Sequence, residues 1–135
     1  MKLNMLFLSQ IIPIKGLERL FYVIAAIGVK KFTNWELTIA GYEDKDHTTF
    51  LKNLSKKLGL INFTSFVGAK VGLEKVKAFD NADLFILPTF NENYGIVVAE
   101  ALARKVPVLT TQGTPWSELN TNNCGLWVKA QPMRC

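Results

Sequence analysis

At 135 residues the chain has room for one domain around one core. A composition that is 49% hydrophobic and 20% charged is that of a folded domain and argues against disorder. The net charge of +5 suits nucleic acid, an anionic membrane surface or a phosphate-bearing small molecule, but the bases are scattered from Lys15 to Lys77 without a long run. That spread favours weak steering of a small anion and no nucleic-acid footprint. Two cysteines, Cys124 and Cys135, make neither a disulfide framework nor a metal set, and a single histidine, His47, argues against a histidine metal site or a Ser-His-Asp triad. The start, MKLNMLFLSQIIPI, superficially resembles a signal peptide. Ser9, Gln10 and Pro13 interrupt it, and no small-x-small cleavage site follows. No stretch has the uninterrupted apolar length of a membrane span. The expectation is a cytoplasmic protein, with room for a peripheral membrane contact.

In chain order, Leu3–Leu8 reads as a short apolar strand. The segment Ser9–Gly16 reads as a loop holding Pro13, Lys15 and Gly16. Helical spacing over Leu17–Lys31 predicts a helix burying Leu17, Leu20, Phe21, Ile24, Ala25 and Ile27, with Glu18 in its first turn. Trp35–Ala40 is the second predicted strand, closed by Gly41. Glu43, Asp44 and Asp46 read as a solvated loop, and His47 is expected to open a basic amphipathic helix to Leu58, with Phe50, Leu51, Leu54 and Leu58 inward. Gly59 stops it.

A third strand is expected over Asn62–Val67, a helix over Leu73–Ala82 and a fourth strand over Leu84–Leu87. A helix over Tyr94–Arg104, a strand over Val106–Thr110, a helical turn near Trp116–Leu119 and a last strand over Gly125–Val128 complete the chain. Trp35, Phe63, Phe66, Phe79 and Phe85 are expected in the core, with Trp116 and Trp127 over an open sheet edge. Strands alternating with helices predict an α/β fold, a doubly wound, mainly parallel sheet of about six strands joined by right-handed crossovers. Only Lys129–Cys135 follow the last strand, with Pro132 among them, so the helix expected to cover that edge is missing and the domain reads as truncated.

In such a sheet a ligand lies at the carboxyl ends of the strands, where the strand order reverses. With the order 3-2-1-4-5-6, the loops after strands 1 and 4 meet there. They carry Lys15 and Glu92, and the helix that follows presents free N–H groups to the same place. Glu100 stands further along that helix among Ile96, Val97, Val98, Ala99, Ala101 and Leu102. A carboxylate there either serves a ligand or sits at the helix edge, solvated or paired with Lys or Arg. A cation and backbone amides suit a phosphate, and carboxylates suit hydroxyl groups. The loop SQIIPIKG lacks the G-x-G-x-x-G of a dinucleotide site, and no P-loop sequence occurs. Asp80, Asp83, Glu92 and Glu100 have no recognisable metal-ligand spacing, so no metal is expected.

These motifs resemble the C-terminal, donor-binding domain of retaining glycosyltransferases of the GT-B fold, family 4, the group 1 glycosyl transferases. The resemblance runs from about Leu6 to Val128 and is most specific at ENYGIVVAE, Glu92–Glu100, a two-glutamate motif with seven residues between. PIKG, IAG, FVG, ADLFILPT and VPVLTTQGTPW stand in the expected order around it. The resemblance implies a Rossmann-like domain that binds a nucleoside-diphosphate sugar, with no cofactor and no metal. It implies that Lys15 neutralises the diphosphate and assists its departure, and that Glu92 holds hydroxyls of the sugar. The backbone of Asn93, Tyr94, Gly95 and Ile96 would meet sugar and phosphate, and Glu100 would accept the ribose hydroxyls. The nucleotide base is expected near Gly68–Leu73.

Two departures accompany the resemblance. Gln10 stands where the family carries an arginine, and an amide brings no charge to a phosphate. The acceptor-binding domain of the family is absent from this sequence, so the chain alone is expected not to transfer sugar efficiently. A separately encoded acceptor domain would be the partner that completes it. The alternative is a non-catalytic module that binds a nucleotide sugar or pairs with another subunit.

Overall fold

A computed structural model of the chain describes residues 2–28, 33–92 and 95–129. Its strands are β1 (Leu3–Leu8), β2 (Trp35–Ala40), β3 (Thr64–Gly68), β4 (Leu84–Leu87), β5 (Val108–Thr111) and β6 (Gly125–Val128). They form one sheet in the order β3-β2-β1-β4-β5-β6, every neighbour parallel. The predicted order therefore stands, and with it the reversal between β1 and β4. The helices are α1 (Leu17–Ile27), α2 (Lys45–Lys57), α3 (Gly72–Asp80), α4 (Ile96–Ala103) and α5 (Glu118–Thr121). Right-handed crossovers put α1 and α2 on one face of the sheet and α3, α4 and α5 on the other.

The central strands are apolar because helices flank the sheet on both faces. Phe7, Leu37, Ile39, Phe85 and Leu87 of the strands are wholly buried, as are Phe21 of α1 and Leu51 of α2. On the opposite face Phe79 of α3 meets Phe85 with ring centroids 5.6 Å apart. Trp35 is buried and stacks on the partly buried Phe63 at 4.9 Å.

Several boundaries differ from those the sequence predicts, each for a local reason. Helix α2 begins at Lys45 because Asp44 caps it, its carboxylate accepting from the His47 backbone N–H at 3.1 Å. Asp44 and Asp46 are thus a cap and a first-turn acid, placed where the helix dipole favours negative charge, and His47 lies inside the helix. Its buried face is also turned from the expected one: Thr48, Leu51, Leu54 and Ser55 are buried while Phe50 is exposed. The Ser55 and Thr64 hydroxyls bond at 3.0 Å, which lets two polar side chains replace an aromatic one against β3. Strand β5 starts at Val108, after Pro107, whose carbonyl accepts from the Phe85 N–H at 2.9 Å.

Helix α1 reaches Ile27 and is capped by Gly28, and Lys30 and Lys31 fall outside the described residues. Ile27, expected inside, is 65% exposed. It borders an apolar hollow of about 230 Å³ formed with Val23, Met5, Leu84, Ile86 and Leu109. A larger, more polar hollow of about 530 Å³ lies on the other face, between α3 and Asn4, Glu36 and Thr38.

Candidate functional site

The loops after β1 and β4 do converge. Pairing with the second strand continues past β1, where the Ile11 N–H donates to the Tyr42 carbonyl at 3.0 Å. Proline at position 13 then opens a single 3-10 turn, Pro13–Lys15, closed by Gly16 in the left-handed conformation with φ 82°. That turn lays its backbone on the β4 loop: the Phe90 N–H donates to the Ile14 carbonyl at 2.8 Å. The Thr89 hydroxyl has two carbonyl acceptors in reach, Asn91 at 2.9 Å and Ile14 at 3.2 Å. The Lys15 ammonium consequently meets the Glu92 carboxylate at 2.5 Å, with side-chain exposures of only 13% and 23%. Two groups 77 residues apart stand in charge-assisted contact.

Arg19, on the first turns of α1, supports the same loop from below. Its guanidinium donates to the Pro88 carbonyl at 2.5 Å and lies 4.0 Å from the centroid of the exposed Phe90 ring. Burial pushes this guanidinium below its ordinary pKa, since a low-dielectric setting disfavours the charged form. From the other side, threonines of the β5 strand hold β4 and its loop. The Thr110 hydroxyl donates to the Leu87 carbonyl at 2.8 Å and the Thr111 hydroxyl to the Thr89 carbonyl at 2.6 Å. The Glu92 N–H donates to the Gly113 carbonyl at 2.8 Å.

Helix α4 starts at Ile96, not Tyr94, because Gly95 precedes it in the left-handed region with φ 59°. A Cβ there would stand 2.9 Å from the Trp116 Nε1, so the indole lies against the helix entrance. Trp116 thus packs against the entrance of α4. Trp127 is tied to the same segment, its Nε1 donating to the Thr114 carbonyl at 2.8 Å. The first turn of the helix, the end at which backbone N–H groups lack intrahelical partners, borders a cavity of about 390 Å³ lined by Leu8, Ser9, Lys75, Glu92, Gly95, Ile96 and Val97.

Of the residues singled out from the sequence, Glu92, Gly95 and Ile96 line this cavity, and Lys15 joins them through its ion pair with Glu92. Gln10 is exposed just beyond β1 and does not line this cavity. Asn93 and Tyr94 lie outside the described residues. Glu100 does not line the cavity either; its carboxylate is held at 2.6 Å by Lys75 of α3, which does. Glu100 is thus ion-paired, as one of the two expectations for it had it. Lys75, Arg19, Ser9 and the threonines were not foreseeable as site residues, because each joins through contacts between distant segments. Among the described residues no cluster of His, Cys, Asp and Glu could hold a metal ion, and no helix is long and apolar enough to cross a membrane.

The sequence matches the family described as Glycosyl transferases group 1 over residues 1–133. It is 29% identical over 119 residues to the lipopolysaccharide glucosyltransferase WaaG of Escherichia coli, covering 87% of this chain and 30% of that protein. A crystal structure of WaaG superposes with a TM-score of 0.82 at 24% identity, over 98% of this chain and 35% of that one. The C-terminal domain of the group 1 protein LpcC from Francisella tularensis gives a TM-score of 0.78 at 20% identity, over 96% of this chain and 68% of that one. Anabaena HepE, solved in complex with UDP and glucose, gives 0.76 at 21% identity, over 87% of this chain and 32% of that one. The chain spans only 25 to 31% of the length of the first curated relatives it matches. It belongs to the group 1 glycosyl transferases and has the Rossmann-like fold of a domain of those GT-B enzymes.

Proposed function

We propose that this chain binds a nucleoside-diphosphate sugar at the carboxyl end of its sheet and serves as the donor half of a retaining glycosyltransferase. The observation that carries the reading is the Lys15–Glu92 contact at 2.5 Å beside the entrance of α4. Glu92 and the first residues of the helix border one cavity, and Lys15 is tied to it through its contact with Glu92. HepE, whose fold is similar, is described in complex with UDP and glucose, which supports a nucleotide sugar as the ligand class.

In this reading the diphosphate takes the Lys15 ammonium and the N–H groups of Gly95–Val97. Glu92 then turns its carboxylate to the sugar hydroxyls. Glu100, one helical turn further on, is the acceptor for the ribose diol, and Asn93 and Tyr94 contribute backbone to the sugar. As the glycosidic bond breaks, negative charge grows on the departing phosphate, and prearranged donors stabilise it without a metal ion. No histidine is needed, because the leaving group is already a weak base. An acceptor domain, on this or another chain, closes the cleft and excludes water. The cytoplasm, where nucleotide sugars are made, is the compartment that fits.

A second reading, a binding or subunit-pairing module without transfer, is favoured by Gln10 and by the neutral balance of the two Lys–Glu pairs. Calorimetric titration with UDP, GDP and ADP separates the readings from a ligand-free domain. Binding that weakens on Lys15→Ala and on Glu100→Ala is expected. Failure of all three nucleotides to bind would sink the donor-site reading.

A further inference from the structure

We infer that Lys75 is a second phosphate cation of this site, fixed in position by Glu100; the inference rests on the nucleotide reading above. Helices α3 and α4 run side by side and are joined by two ion pairs of opposite sense. The far pair, Arg104 on Asp80, is bidentate at 2.9 and 2.6 Å and lies at the exposed end of both helices. It is a clamp between helices and needs no ligand to explain it. The near pair is different. Lys75 lines the cavity with Glu92 and Gly95, and its side chain is only 28% exposed.

A lysine ammonium carries three protons. One is engaged by Glu100 at 2.6 Å, which leaves two for an anion in the cavity. Glu100 holds the long side chain in one place, so less rotamer freedom is lost when a ligand arrives. Glu92, which also lines the cavity, holds Lys15 in the same manner. The site therefore has two tethered ammonium groups, each charge-balanced by its own carboxylate. Gln10 is exposed and neutral and does not line the cavity. Lys75 supplies the second charge that a diphosphate calls for.

The test uses the whole chain and whichever of UDP, GDP and ADP binds tightest. Lys75→Met is expected to weaken that diphosphate about tenfold, the loss of one charge-assisted hydrogen bond, and to flatten its dependence on salt. Lys75→Gln keeps a donor to Glu100 but no charge, and is expected to show the same loss. Lys75→Arg should restore most of the affinity. Thermal melts of each variant report whether the fold is kept. Unchanged or tighter binding by Lys75→Met, or normal binding by Lys75→Gln, overturns the inference while leaving the nucleotide reading in place. Absence of nucleotide binding by the unaltered chain overturns both.

Discussion

The carbonyl oxygen of Pro88 occupies the place that a side chain on Gly16 would need: a Cβ there would come within 1.9 Å of it. Gly16 also has φ 82°, so this single residue both ends the Lys15 turn and lets the β4 loop lie against it. Contact between the two loops is thus made at the level of backbone. The Lys15–Glu92 pair follows from it.

Gly16→Ala is therefore expected to destabilise the chain by at least about 2 kcal/mol, combining left-handed strain with displacement of a backbone carbonyl. Chemical denaturation measures the loss, and a midpoint equal to that of the unaltered chain would contradict the close approach.

Charge at the phosphate end of the cavity should set affinity. Lys15→Ala should weaken nucleoside-diphosphate binding about tenfold or more, since it removes a cation and leaves Glu92 unpaired. Titration calorimetry at fixed ionic strength reads the loss, and an unchanged affinity for Lys15→Ala would show that its ammonium does not face the ligand.

Arg19 is expected to resist even conservative replacement. Lysine cannot keep both the Pro88 carbonyl contact and the planar stacking on Phe90. Arg19→Lys should cost about 1 to 2 kcal/mol and weaken ligand binding through movement of the Glu92 loop. Equal stability and equal affinity would show that the loop holds itself.

The Asp80–Arg104 clamp predicts an acid limb in stability. Hydrogen bonding to Arg104, with its charge nearby, holds the Asp80 carboxyl below its ordinary value of 3.8, and the same bond raises Arg104. A carboxyl depressed in the folded state stabilises that state above its unfolded pKa. The contribution fades as pH falls from the ordinary value through the lower, folded one. Asp80→Asn should thus lower the melting temperature slightly at neutral pH and leave it unaltered at the acid end, where the carboxyl is protonated in any case. Melts across an acid series check the difference, which should also shrink at high salt.

Local pattern was enough to find most elements and the place of the site. Strands Leu3–Leu8, Trp35–Ala40, Leu84–Leu87 and Gly125–Val128 are bounded as their apolar runs and flanking breakers indicate. Alternation with helices implies parallel pairing, and the strand order expected of such a sheet, which the structure has, brings the loops of Lys15 and Glu92 together. Fine boundaries were harder, because an aspartate that caps a helix looks like one in a loop, as at Asp44. The inward face of α2 was not legible either: Ser55 is buried against a partner hydroxyl on another segment, Thr64, and Thr48 is buried with no hydrogen-bond partner for its hydroxyl among the described residues.

What the amino-acid order determined by itself is the class of fold, the reversal point and a lysine and a glutamate at that point. Tertiary structure alone decided that Lys75 holds Glu100, that Arg19 and the threonines brace the loop, and that Trp116 closes on Gly95. The reason is one of range. Periodicity and turn residues act within a few positions, whereas these partners lie on separate helices and loops and meet only once the sheet has packed both faces.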